Sequence, residues 1–320
     1  MMIDPSSARS PVIALLGPTA SGKTATALEF ATRFPVSIIS VDSVMIYRGM
    51  DIGSAKPEPT VLAEFPHALV NICDPAEPYS VSAFCRDALA AIEQADAAGR
   101  VPLLVGGTMM YFQALLDGLS ALPASETAIR AEVQAEADRW GWPALHDQLR
   151  DIDPAAAARV HPNDPQRISR ALEVFRATGK PLSQWQLDNP PVSPLGDRPV
   201  HRFGLWPASR VHAREAMALR FDEMLANGLL EEVQRLKDRG DLNPGMPSIR
   251  AVGYRQIWDY LDGNTDFDQM RFLAITATRQ LAKRQITWMR SQETTRFYPT
   301  EQRADLLATL AKIVAQAELA

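Results

Sequence analysis

Lys23 and Thr24 close an eight-residue run, Gly17-Pro18-Thr19-Ala20-Ser21-Gly22-Lys23-Thr24, whose residue types and spacing suit one task, the gripping of phosphate. In such a loop the backbone N–H groups point inward at the positive end of the helix that follows. Lys23 adds a point charge, and the Thr24 hydroxyl is of the right kind to ligate a magnesium ion. The loop needs a strand before it and a helix after it. Val12-Ile13-Ala14-Leu15-Leu16 is an apolar strand run, and Ala25 to Ala31 is helix-forming, so the required order is present.

A second chemically useful position is Asp42, which ends another apolar, β-rich run, Val36 to Val41. In a parallel sheet the carboxyl ends of the strands share one edge, which sets Asp42 across a crevice from the phosphate loop. There it is either a base or substrate orienter, or only a carboxylate capping a turn. The loop from Val44 to Pro57 is long for a connection, which favours function. Leu69 to Ile72 reads as a third strand, Val81 to Ala98 as a helix closed by Gly99, and Val101 to Val105 as a buried strand. Where many phosphate-loop kinases carry a magnesium-holding Asp after such a strand, this chain has Gly106-Gly107-Thr108. The glycines permit close approach of a ligand, and Thr108 either serves the site or simply caps the helix Met109 to Leu116.

Composition narrows the class. The chain has 320 residues, 46% hydrophobic and 22% charged, with a formal charge of −5, which is ordinary for a globular protein and does not advertise a nucleic-acid binder. Any such role must come from local clustering. Cys73 and Cys85 form no C-x-x-C pair and the five histidines show no metal-ligand spacing, so the expectation is a reducing compartment without structural zinc. With no basic leader and no run of eighteen apolar residues, the expected location is the cytoplasm, away from membrane.

Six collinear blocks, GPTASGKT (17–24), ISVDSVMIYRGMDIGSAKP (39–57), GGTMMYFQAL (106–115), HPNDPQRISRALEV (161–174), PSIRAVGYRQ (247–256) and ATRQLAKRQITWMR (277–290), resemble the tRNA dimethylallyltransferases of bacteria over essentially the whole chain. The resemblance implies transfer of a dimethylallyl group from its diphosphate to N6 of the adenine at tRNA position 37, next to the anticodon. It implies that residues 17–24 hold the donor's diphosphate and that Asp42 is the base. It also places Thr108 and Arg130 at tRNA near the site. Four segments match the family's tRNA contacts: Asp42-Ser43-Val44-Met45, Gln166-Arg167-Ile168-Ser169-Arg170, Pro247-Ser248-Ile249-Arg250-Ala251-Val252 and Gln280-Leu281-Ala282-Lys283-Arg284-Gln285-Ile286-Thr287. Val44-Met45-Ile46 departs from the usual pattern, which has Gln in this stretch.

The expected fold is α/β: a P-loop NTPase-like parallel sheet flanked by helices, with an all-helical insertion. Residues 1–122 form the first part of the core, 123–199 the tRNA-clamping insertion, and 200–320 a mostly helical second part. Asp153-Pro154 and Asp164-Pro165 each read as a helix cap followed by proline at the first helical position, and Val200 to Trp206 as a strand rejoining the sheet. After Trp206 helices run almost unbroken: Val211–Ala226, Leu229–Arg239, Ala251–Leu261, Met270–Met289 and Ala304–Ala317. Arg214 and Arg220 on the first are candidates for the leaving diphosphate, where developing charge calls for a cation. Residues 270–296 carry six Lys or Arg against one acid, and Arg279, Lys283 and Arg290 share a helical face, the footprint of RNA binding or else a solvated face. The expected partners are the tRNA anticodon stem-loop, dimethylallyl diphosphate and Mg2+, acting on a monomer. A small-molecule kinase and an RNA-binding nucleotide switch are the rivals, and Gly106-Gly107-Thr108 in place of an acid weighs against both.

Overall fold

The computed structural model describes residues 9–318. In chain order the elements are β1 (Val12–Leu16), α1 (Lys23–Ala31), β2 (Val36–Val41), α2 (Pro59–Glu64), β3 (His67–Ala68), α3 (Val81–Ala97), β4 (Val101–Gly106) and α4 (Met109–Leu116). Five helices follow: α5 (Thr127–Trp140), α6 (Trp142–Ile152), α7 (Pro154–Ala157), α8 (Pro165–Thr178) and α9 (Leu182–Asp188). The chain then forms β5 (Val200–Trp206), α10 (Arg210–Ala226), α11 (Leu229–Asp238), α12 (Tyr254–Leu261), α13 (Phe267–Arg290), β6 (Arg296–Pro299) and α14 (Arg303–Glu318).

All the strands join one sheet in the order β3-β2-β4-β1-β5-β6, and every pairing is parallel. A parallel sheet covered on both faces needs strands that are apolar throughout, and β1 is buried at all its positions. Val12, Ala14 and Leu16 face α3 and α4 through Phe84 and Phe112, whereas Ile13 and Leu15 face α1 and α14 through Phe30 and Leu310. A third core joins the segment after β2 (Ile46, Tyr47, Met50) to α11, α12 and α13 (Val233, Ile257, Ile275).

The chain forms two compact units. One runs to Leu116 and resumes at Leu195; it holds the sheet and both of its faces. The other, Asp117–Pro194, is helical and has its own core of Val133, Leu145, Leu149, Ile168 and Leu172. Its two Asp-Pro caps form as expected, with Asp153 accepting from the Ala156 amide at 2.9 Å and Asp164 from the Arg167 amide at 3.1 Å. Among the described residues no helix is long and apolar enough to cross a membrane.

Three expectations need correction. Leu69–Ile72 is not a strand, because Leu69 and Asn71 adopt left-handed φ values of 64° and 58° and the segment turns to bond the chain at Met45 and Ile46 instead. The paired residues are His67 and Ala68, immediately before it. The helical run after Trp206 is interrupted by β6, a four-residue edge strand against β5. Helix α12 starts at Tyr254 rather than Ala251, since Gly253 at φ 93° caps it.

Candidate active site

Sheet order fixes the site. Because β4 lies between β2 and β1, the loop after β1, the Gly106-Gly107-Thr108 turn after β4 and Asp42 after β2 stand side by side at the carboxyl edge. Backbone bonds tie them: Gly17 N–H donates to Gly106 O at 3.2 Å and Thr108 N–H to Val41 O at 3.2 Å. The two glycines differ in role: Gly107 lines the same cavity as Asp42, whereas Gly106 packs against the end of β2. A Cβ on Gly106 would sit 2.0 Å from the backbone oxygen of Val41, so that position excludes a side chain, while one on Gly107 would meet the end of the Gln285 side chain, Nε2, at 2.7 Å.

Helix α1 opens at Lys23, so the amides of the P-loop's end lie in a first turn that has no intrahelical acceptors. Ser21 Oγ is buried with no hydrogen-bond partner among the described residues, which leaves a hydroxyl for an anion. The Thr19 amide is differently spent. It donates to Gln285 Oε1 at 3.0 Å, while Gln285 Nε2 donates to Gly107 O at 2.8 Å, so α13 props up both loops. Lys23 Nζ curls over the loop to Pro18 O at 3.2 Å.

Asp42 is both a turn cap and a cavity residue. Its Oδ1 accepts from the Val44 and Met45 amides at 2.8 and 3.2 Å, a local turn that fixes the carboxylate while it lines the cavity. The Thr108 hydroxyl reaches across to this turn instead of capping α4, accepting from the Ser43 amide at 3.0 Å and donating to Ser43 Oγ at 3.3 Å.

P-loop and Asp42 face one cavity of about 490 Å³. Its other walls include Gly107, the Gly53–Pro57 loop, Met217, Arg220, Phe221 and Met224 of α10, Leu229, Val252-Gly253, and Thr278, Leu281 and Gln285 of α13. Burial lowers the Lys23 ammonium from its usual 10.5 to about 8, with Asp42 opposing the shift and Arg220 reinforcing it. Arg220 is also pulled down by burial, against the pull of Glu223 and Asp42. Lys23, Arg220 and the Ser21 hydroxyl line one cavity, a donor set of the kind an anion takes. Arg214, by contrast, opens on a different cavity.

That second cavity, about 710 Å³, lies between α10 and α13 and is lined by Arg214, Arg279, Lys283 and Arg290 with Trp206 and Gln280. The Arg290 guanidinium lies 5.6 Å from the Trp206 ring centre. Lys283, Arg284 and Thr287 are exposed, Ile286 is half-buried, and Ala282 is buried. In the 247–252 segment Pro247 and Arg250 are exposed and Ala251 half-buried, but Ser248 and Ile249 are fully buried, with Ser248 Oγ donating to Pro75 O at 2.7 Å. Within the helical unit Gln166, Arg167 and Arg130 are exposed while Ile168 lies in its core. The side chains of Ile168, Ser248, Ile249 and Ala282 therefore hold their segments in place and do not present themselves to RNA.

A family model for IPP transferase matches residues 45–292, and one for isopentenyl transferase matches residues 10–67. A tRNA dimethylallyltransferase of Thioalkalivibrio sulfidiphilus is 54% identical over 310 residues, which is 97% of this chain and 96% of that protein. The chain belongs to the tRNA dimethylallyltransferase family. Among solved structures, the full-length tRNA isopentenylpyrophosphate transferase of Bacillus halodurans matches with a TM-score of 0.68 at 33% identity, over 97% of this chain and 98% of that one. A eukaryotic dimethylallyltransferase described as acting on tRNA matches with a TM-score of 0.72 at 25% identity, over 88% of this chain and 70% of that one. Membership in a dimethylallyltransferase family sets aside the kinase and the nucleotide switch.

Three buried polar residues of this family member were not assigned their structural roles by the sequence: Gln285, Glu232 and Glu173. Glu173 gathers Ser125, Ser169, Arg130 and Arg170, the last two at 3.7 and 3.9 Å; burial raises its carboxyl, but these donors and charges outweigh burial and hold it below the usual range. A signal existed for the other two. Glu232 sits on the apolar stripe Leu229, Val233, Leu236, and Gln285 on the stripe Ala282, Met289, and a polar residue on a core-facing stripe must have a buried partner.

Proposed function

We propose that this protein transfers the dimethylallyl group of dimethylallyl diphosphate to N6 of the adenine at tRNA position 37, releasing diphosphate. The observation that carries this reading is the shared cavity, in which a phosphate loop with Lys23 and Arg220 faces the Asp42 carboxylate across apolar walls of Met217, Phe221, Met224 and Leu281. The adenine must leave its stack to be reached, since N6 is inaccessible in a stacked loop. Asp42 accepts the N6 proton as the N6–carbon bond forms; the allylic carbon–oxygen bond breaks and its electron pair leaves on the diphosphate. Lys23, Arg220 and the amides at the start of α1 stabilise that charge. Thr108, through Ser43, orients the turn that carries Asp42.

Among the described residues no cluster of three His, Cys, Asp or Glu is arranged to hold a metal. The Thr24 hydroxyl, at the cavity wall, is of the kind that would hold Mg2+, and the ion would supply charge neutralisation at the leaving group. The exposed Lys283 and Arg284 of α13 are assigned to tRNA phosphates, and the helical unit, taken by itself, offers the exposed Gln166, Arg167 and Arg130 to tRNA. The acting unit is assigned as a monomer, working in the cytoplasm where tRNA is. Calorimetry with magnesium, comparing dimethylallyl diphosphate with ATP and GTP, tests the reading. Tighter binding of the prenyl donor supports it; tighter binding and turnover of ATP would defeat it.

A further inference from the structure

Glu232 is 2% exposed, and its charge is met by no cation among the described residues. Instead Oε2 accepts from the Asp51 and Ile52 amides at 3.0 and 2.8 Å, and Oε1 accepts from the Gly53 amide at 3.1 Å and the Tyr254 hydroxyl at 2.6 Å. Three successive amides thus converge on one carboxylate, supplied by α11. Burial and the Glu232 charge raise the Tyr254 phenol, which keeps it protonated and donating. Gly53 packs directly on Tyr254: a Cβ there would lie 2.6 Å from the ring.

The far end of the same loop is also pinned. Lys56 Nζ donates to Tyr47 O at 2.8 Å and Asn71 Oδ1 at 2.7 Å, with its side chain 2% exposed. Between the two anchors lie Ser54 and Ala55, the latter at a left-handed φ of 56°, and both line the cavity opposite the P-loop. Tyr254 is continuous with Val252-Gly253, which form another wall. One carboxylate thus fixes two walls of the site.

We infer that Glu232 is a positioning residue for the donor pocket, holding the Asp51–Gly53 turn and the Tyr254 turn so that the cavity keeps the shape of the prenyl donor. This rests on the assignment of that cavity to dimethylallyl diphosphate. Glu232→Gln retains one acceptor oxygen and loses the other, and Glu232→Ala loses both. The KM for dimethylallyl diphosphate rises about tenfold in the first and further in the second, while the KM for tRNA stays within about twofold. Tyr254→Phe keeps the three amide bonds and raises the donor KM only a few-fold. Thermal unfolding confirms that each variant is folded; if neither Glu232 variant folds, Tyr254→Phe alone decides, and an unchanged donor KM in it overturns the inference. A purely structural role would lower the melting temperature without separating the two KM values, and that result contradicts the inference. Calorimetry on the unaltered protein separates the two claims. If it does not bind dimethylallyl diphosphate, the cavity assignment and this inference fall together; if it binds and folded Glu232→Gln binds equally well, only the inference falls.

Discussion

Gln285 and Thr19 are joined by a 3.0 Å hydrogen bond across 266 residues of chain, with the Thr19 amide donating to the carboxamide of a helix whose exposed face is basic. The other end of that carboxamide holds Gly107 O, so the phosphate loop and the turn beside Asp42 are set by one side chain. Gln285→Ala leaves the buried Gly107 carbonyl unpaired, costing about 1–3 kcal/mol, and frees the half-buried Thr19 amide at the cavity wall. Affinity for dimethylallyl diphosphate therefore falls about tenfold by calorimetry, with the protein still folded. Unaltered affinity would show that the loop holds its shape alone.

Asp42→Asn keeps the cap on the Val44 and Met45 amides but removes proton acceptance. Turnover falls by at least about a hundredfold while tRNA affinity changes little. Single-turnover kinetics with a filter-binding control measure both, and near-normal turnover would remove Asp42 from the chemistry.

Lys23 gives the site a pH signature. Its ammonium titrates near 8 when the cavity is empty, so the charge that grips diphosphate is lost as pH rises through that value. Donor affinity at about pH 9 is about tenfold weaker than at about pH 7, and binding near pH 8 takes up a proton, seen as a buffer-dependent heat. Stability runs the other way: between about 8 and 10.5 the unfolded chain holds the extra proton, so the unliganded protein gains stability with rising pH across that window. A pH-independent affinity contradicts the assignment.

Sequence and structure agree where local chemistry is strong. The P-loop with its flanking strand and helix, β2, β5 and the helix Val81–Ala97 closed by Gly99 all follow from apolar runs and their terminators. Edge strands β3 and β6 have two and four residues, too short for a period to show, and Leu69-Val70-Asn71-Ile72 looks extended only until its left-handed residues are known. Asp42 was visible because it ends a strand. The engagement of Thr108 with Ser43, of Gln285 with the P-loop and of Glu232 with three amides is tertiary, linking residues far apart in the chain, and only the polar interruption of an apolar stripe hints at the last two.

The basic face of α13 makes a prediction that salt can test. Lys283 and Arg284 are exposed, as phosphate-contacting residues must be. Replacing either with Ala weakens binding to all tRNAs and reduces the slope of log affinity against log salt by about one unit. A slope that does not change assigns them to solvent.

The most direct measurement is mass spectrometry of unmodified tRNA after incubation with the purified protein, dimethylallyl diphosphate and magnesium. The account predicts one dimethylallyl group on the adenine following the anticodon, equimolar diphosphate release, and no product with Asp42→Asn. Unmodified tRNA, or phosphate transferred from ATP to an acceptor instead, would contradict it.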